Sequence, residues 1–176
     1  MLGGGIYVSG DYTASASFLE SKIGTVDKNT RIEFLRTLLL DYAYIHDCTG
    51  FKQTVRLANQ ILDSWSLSDY ALDHNHIVSL IEALARSFAV FGFIKDARKI
   101  LKEADVFTPN PFYESQLLRC KIFLLFCELK KGNDICRGDF QIALQQASSK
   151  KFLPFKRHKA QIQILADKFA LSYGKN

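Results

Sequence analysis

The stretch Leu84-Ala85-Arg86-Ser87-Phe88-Ala89, followed by Gly92, decides the fold. A leucine beside an alanine, with a bulky residue three positions on, gives a helix a surface for close approach to a neighbour. A glycine just beyond supplies the left-handed conformation that ends a helix. The pattern returns at Leu165-Ala166-Asp167-Lys168-Phe169-Ala170 before Gly174, and in degenerate form at Leu2-Gly3-Gly4-Gly5-Ile6 before Gly10. Gly10, Gly50, Gly92, Gly132 and Gly174 are spaced by 40, 42, 40 and 42 residues. Recurrence at that interval predicts one helix pair stacked several times.

Working outward, a long apolar helix is predicted before each glycine: Arg31 to Asp47, His76 to Phe91, Glu114 to Lys130 and Lys159 to Tyr173. A shorter amphipathic stretch follows each turn: Asp11 to Ile23, Phe51 to Leu62, Phe93 to Val106 and Gln141 to Ala147. In the third of these, Phe93, Ala97, Ile100, Leu101 and Ala104 form the stripe of one helix face. The expected fold is all-α, a right-handed α-solenoid of antiparallel helix pairs in a single domain over residues 1–176. It divides into a half-unit 1–24, units 30–63, 76–106 and 112–150, and a terminal half-unit 153–174. A closed helix bundle is the alternative, because four long apolar helices also pack that way. Both ends fall inside a repeat, so the chain reads as part of a longer array. Leu2, Ile6, Phe18 and Ile23 at the start, and Ile164, Leu171 and Tyr173 at the finish, are expected to lack a covering neighbour and to support self-association.

The strongest unit, Leu84-Ala85-x-x-Phe88-x-x-x-Gly92-x-x-x-x-Ala97-x-x-x-Leu101-x-x-Ala104-x-x-x-x-Pro109, resembles the tetratricopeptide repeat in order and spacing. The first unit has Tyr42-Ala43 and Gly50 but His46 and Val55 at two defining positions, and the third carries extra residues from Asn133 to Gly138. A period near 40 is longer than the family's usual one, about 34. It is similar to the long repeats of bacterial transcription regulators and eukaryotic scaffold proteins. The resemblance implies a partner-binding groove lined by the first helix of each unit. Counting back from the glycines places Thr37, Leu40, Tyr44 and Asp47 there, then Ser79, Glu82, Arg86 and Val90, then Arg119, Ile122, Phe126 and Lys130. The lysine and asparagine clamp with which some members hold a terminal carboxylate is not reproduced at these positions.

Composition narrows the function classes. A chain of 176 residues with 48% apolar content supports one core, and its net charge is +5. No apolar run reaches the roughly 18 residues of a membrane span, and no signal-peptide pattern opens the chain. Cys48, Cys120, Cys127 and Cys136 form no C-x-x-C pair and lie near no histidine at metal-ligand spacing. Cys120 and Cys127 are expected in or beside the core, which suits an intracellular location, cytoplasm or nucleus. No phosphate-binding loop, nucleophile elbow or H-E-x-x-H is present. His74 and His76 flank Asn75 at a helix start and point to different sides, and Asp73 or Asn75 is expected to cap that helix. No catalytic residue, metal or cofactor is therefore assigned.

The leading expectation is a non-enzymatic protein-interaction module, a scaffold or regulatory segment that binds a polypeptide through the groove or an exposed end. The alternative is a ligand- or peptide-sensing regulatory domain of a transcription regulator. Third comes a nucleic-acid or acidic-partner contact through the basic cluster Lys150, Lys151, Lys156, Arg157 and Lys159, which Phe152 and Phe155 interleave.

Overall fold

Three helix ends set the architecture, and all three are built alike. In a computed structural model, residues 11–65, 74–106 and 111–148 are described, together with Gln163 and Asp167. Three of the helices are α2 (Lys28–Tyr44), α4 (His74–Val90) and α6 (Pro111–Lys130). Each ends in a residue with positive φ: His46 at 56°, Gly92 at 88° and Gly132 at 85°. The N–H of that residue donates three back and the next N–H donates five back: His46 to Ala43 and Asp47 to Tyr42, Gly92 to Ala89 and Phe93 to Phe88, Gly132 to Leu129 and Asn133 to Glu128. This double bond pattern satisfies carbonyls that a helix end otherwise leaves open.

Gly50 is a correction to the sequence reading. It does not make the first turn; it lies in the helix after it, where its N–H donates to the Asp47 carboxylate at 3.1 Å. His46 takes the left-handed position instead, so the even glycine period holds at Gly92 and Gly132 and is coincidental at Gly50. Gly50 is needed for another reason. A Cβ there would stand 2.5 Å from Tyr42 Cε1, so the helix backbone can lie against the tyrosine ring only without one.

The other helices are α1 (Tyr12–Lys22), α3 (Cys48–Ser64), α5 (Ile94–Lys102, continued by a 3-10 turn Glu103–Val106) and α7 (Arg137–Ser148, preceded by a 3-10 turn Asp134–Cys136). Among the described residues there is no strand. Asp11, Asp27 and Asp47 cap α1, α2 and α3 through their carboxylates, which accept orphan N–H groups. The last helix starts at Arg137, earlier than expected, because the residues from Asn133 form the 3-10 turn that leads into it.

The middle helix α4 packs against α2, α5 and α6; α1 and α3 pack on α2, α5 also meets α6, and α7 packs on α6. A first apolar cluster spans α1 to α4 and includes Leu35, Leu39, Leu80 and Leu84. A second joins α6 and α7 through Ile122, Phe140 and Leu144, and a third links α4, α5 and α6 through Ala85, Ala89, Ala97, Cys120 and Leu124. Phe18 and Ile23 are partly buried against the first cluster. Leu2, Ile6, Ile164, Leu171, Tyr173, Asp73, Pro109 and, apart from Gln163 and Asp167, the terminal half-unit 153–174 lie outside the described residues. The turns also meet. The His46 ring stands edge-on to Phe91 with centroids 6.0 Å apart, and Lys131 Nζ donates to the Gly92 carbonyl at 2.9 Å.

Candidate functional site

The spacing Ser79, Glu82, Arg86 on α4 is repeated as Gln116, Arg119, Phe123 on α6, at i, i+3 and i+7 in both. That spacing keeps three side chains on one helix stripe. The two stripes face each other residue for residue. Gln116 Nε2 donates to Ser79 Oγ at 3.1 Å, Arg119 Nη2 pairs with Glu82 Oε1 at 2.9 Å, and the Arg86 guanidinium lies 5.0 Å from the Phe123 ring centre. Arg86 Nη1 reaches the same Glu82 oxygen at 3.2 Å. Toward α2, Arg86 Nη2 meets Tyr44 Oη at 3.5 Å, and His76 Nδ1 lies 2.8 Å from Glu33 Oε1. Arg36 joins Glu33 at 3.2 Å. Partners lie 42 and 43 residues apart between α2 and α4, and 37 apart between α4 and α6. Near-constant offsets require neighbouring helices to run in the same direction.

The result is a polar seam crossing three helices. Its floor is dry: the Glu82 side chain is 3% exposed, that of Arg86 12% and that of Arg119 15%. It opens to solvent at the Glu33, Arg36 and His76 end. Burial alone pushes the Glu82 carboxyl up, and Arg86, Arg119 and Arg36 overturn that and hold it below the usual range.

The expected groove residues divide accordingly. Tyr44, Ser79, Glu82, Arg86 and Arg119 belong to the seam, and Thr37 is half-buried with its hydroxyl on the Glu33 carbonyl. Leu40 is in the first apolar cluster. Ile122 and Phe126 turn toward α7 in the second cluster, a correction that follows from the offset of 37 where 40 was assumed. Phe123 takes the aromatic position expected for Phe126. Asp47 caps α3, Val90 ends α4, and Lys130 ends α6 exposed. Sequence reading missed Glu33, Arg36, His76, Gln116 and Phe123. The repeated polar stripe on two otherwise apolar helices was the available signal. Lys150, Lys151, Lys156, Arg157 and Lys159 lie outside the described residues.

Elsewhere three thiols are held neutral. Burial pushes Cys120 well up and Cys127 to about 11, and Cys136 is raised by its hydrogen bond to Glu128, 2.7 Å away. All four cysteines are free. A shallow cleft between α3 and α5 has Val55, Leu84, Phe88 and Ile100 beneath and Asn59, Asp96, Lys99 and Glu103 at its rim. Among the described residues no group of three or more His, Cys, Asp or Glu is placed to hold a metal ion, and no helix is long and apolar enough to cross a membrane.

Comparison with family models, curated proteins and solved structures finds no match.

Proposed function

We propose that the chain is a non-enzymatic, intracellular protein-interaction module. Its helix pairs form a right-handed solenoid of tetratricopeptide-like units, and the face carrying the polar seam receives an extended polypeptide. The observation that carries this reading is the row α2, α4, α6. Neighbouring members run parallel in near-constant register, and their shared face presents guanidinium groups, a tyrosine hydroxyl and aromatic rings. Such a face offers side-chain donors to a peptide's carbonyl and carboxylate groups, and flat apolar surfaces to its anchors. The three similar turns support stacking of one unit over closure into a bundle, because the contacts between turns step along one edge.

The test is affinity capture of partners from cells with the full chain and two kinds of variant. Tyr44→Ala and Thr37→Arg alter the seam side, whereas Lys52→Glu alters the exposed side of α3. A polypeptide retained by the parent and by Lys52→Glu, but lost from both seam variants, is the expected outcome. Retention by all four chains removes the seam from consideration. Recovery of a small molecule alone favours the ligand-sensing alternative.

A further inference from the structure

The first helix carries a buried polar contact that its packing does not satisfy. Asp41 of α2 and Ser15 of α1 are both 0% exposed, and the Ser15 hydroxyl approaches the Asp41 carboxylate without forming a well-aligned hydrogen bond to it. A carboxylate in such a place recovers little of the hydration it loses. Burial drives the Asp41 carboxyl from 3.8 up to about 6, with the Ser15 hydroxyl, which favours the charged form, opposing it. Charged side chains on the helices packed against α2 have partners of their own. Glu20 of α1 accepts from Tyr42 Oη, Asp47 at the head of α3 caps that helix, and on α4 His76 pairs with Glu33 and Arg86 with Glu82.

The helix that covers Asp41 is lightly held. Ser15, Ala16 and Leu19 are its buried residues, so one leucine and one alanine supply the fully buried apolar surface. Phe18 and Ile23 add partly buried apolar surface, and further ties include the Tyr42–Glu20 bond and the Tyr12 ring on Tyr44, with centroids 5.0 Å apart. The connection to α2 runs through Gly24, where an added Cβ would meet nothing within 4 Å. Elements with few buried apolar contacts open at low free energy.

We propose that α1 is a hinged cover on α2, docked tightly while the Asp41 carboxyl is neutral and opening more readily once it is charged, and that opening bares Tyr42 and Tyr44. Tyr44 is the seam residue beside Arg86, so the cover controls one end of the seam whatever that face binds. The direction follows from the neutral form being favoured in the docked state. Docking is strongest below 3.8, weakens as pH rises from there to about 6, and is level above. Between pH 5 and pH 7.5 the opening constant rises about tenfold.

Hydrogen exchange of the α1 amides in the full chain, corrected for intrinsic rates, measures that constant directly. The expected result is about tenfold lower protection at pH 7.5 than at pH 5 in α1, with α4 as an internal reference showing no such change. Asp41→Asn should abolish the difference and protect α1 at pH 7.5 at least as well as the parent. A pH dependence that survives in Asp41→Asn assigns the effect to other groups and overturns the proposal. Carbon-detected titration of the parent's Asp41 carboxyl gives a second test that needs no variant. A midpoint near the ordinary carboxylate value overturns the proposal equally.

Discussion

Gly50 and Gly138 are both helical glycines, yet the same substitution should act on them in opposite directions. An exposed helical glycine replaced by alanine stabilises by about 0.8–1 kcal/mol, because the free chain loses backbone freedom. Gly138 meets nothing within 4 Å of an added Cβ, so Gly138→Ala should raise the melting temperature by a few degrees. At Gly50 the added atom overlaps three carbons of the Tyr42 ring, at 2.5, 2.6 and 2.7 Å. Tyr42 is buried and its hydroxyl is tied to Glu20, so the ring has little room to withdraw. Overlap of this kind costs about 1–3 kcal/mol, which exceeds the helix gain. Thermal denaturation of the two variants side by side checks the packing. A stabilised Gly50→Ala would mean that the ring does not lie where it is described.

Between elements, the seam of α4 and α6 concentrates the electrostatic stakes. Glu82→Gln leaves Arg86 and Arg119 largely buried without their carboxylate and should destabilise by about 3–5 kcal/mol. Because the Glu82 carboxyl is held below 4.5, its contribution is fully present above that value and is lost as pH falls through the lowered one. The acid limb of the parent's stability curve should therefore flatten in Glu82→Gln, as urea titrations at pH 3 to 7 would show. Replacing the whole triad (Glu82→Leu, Arg86→Met, Arg119→Met) should stay within about 2 kcal/mol of the parent. A folded triple variant that no longer captures a partner would separate recognition from stability.

The helices were readable because Leu84-Ala85-x-x-Phe88 and its neighbours carry a strong periodic signal and aspartates mark three helix starts. The first turn was not readable, because a histidine occupies a position where glycine is the usual signal. The register between helices was hidden as well. Whether 37 or 40 residues separate facing positions depends on how far α6 slides along α4, and that is set by packing across the pair. Seam residues whose assignment did not depend on that slide, such as Ser79, Glu82 and Arg86, were reached from sequence. Phe123 was not.

For the whole molecule, the described residues bury three apolar clusters. Among the described residues the second apolar cluster draws on Leu118 to Ala147, in α6 and α7 with the turn between them. Phe140 is fully buried there, and Phe140→Ala should cost about 3–5 kcal/mol. Much of that loss should stay local. Hydrogen exchange should show α7 and the end of α6 opening first while α2 and α4 keep their protection, the behaviour of stacked units. Uniform loss across all helices would instead indicate a single cooperative core and favour the closed bundle.

The contacts between turns bear on how the molecule would respond to force. One edge is stitched by His46 on Phe91, with Phe51 packed on the same ring, and by Lys131 on the Gly92 carbonyl. Tension applied along the row loads these stitches one after another, as in a seam being unpicked, so no large set of hydrogen bonds shears at once. In an optical trap the chain should lengthen in small successive steps at low force, with α1 yielding first. A single abrupt rupture would show that the edge is braced by more than these contacts.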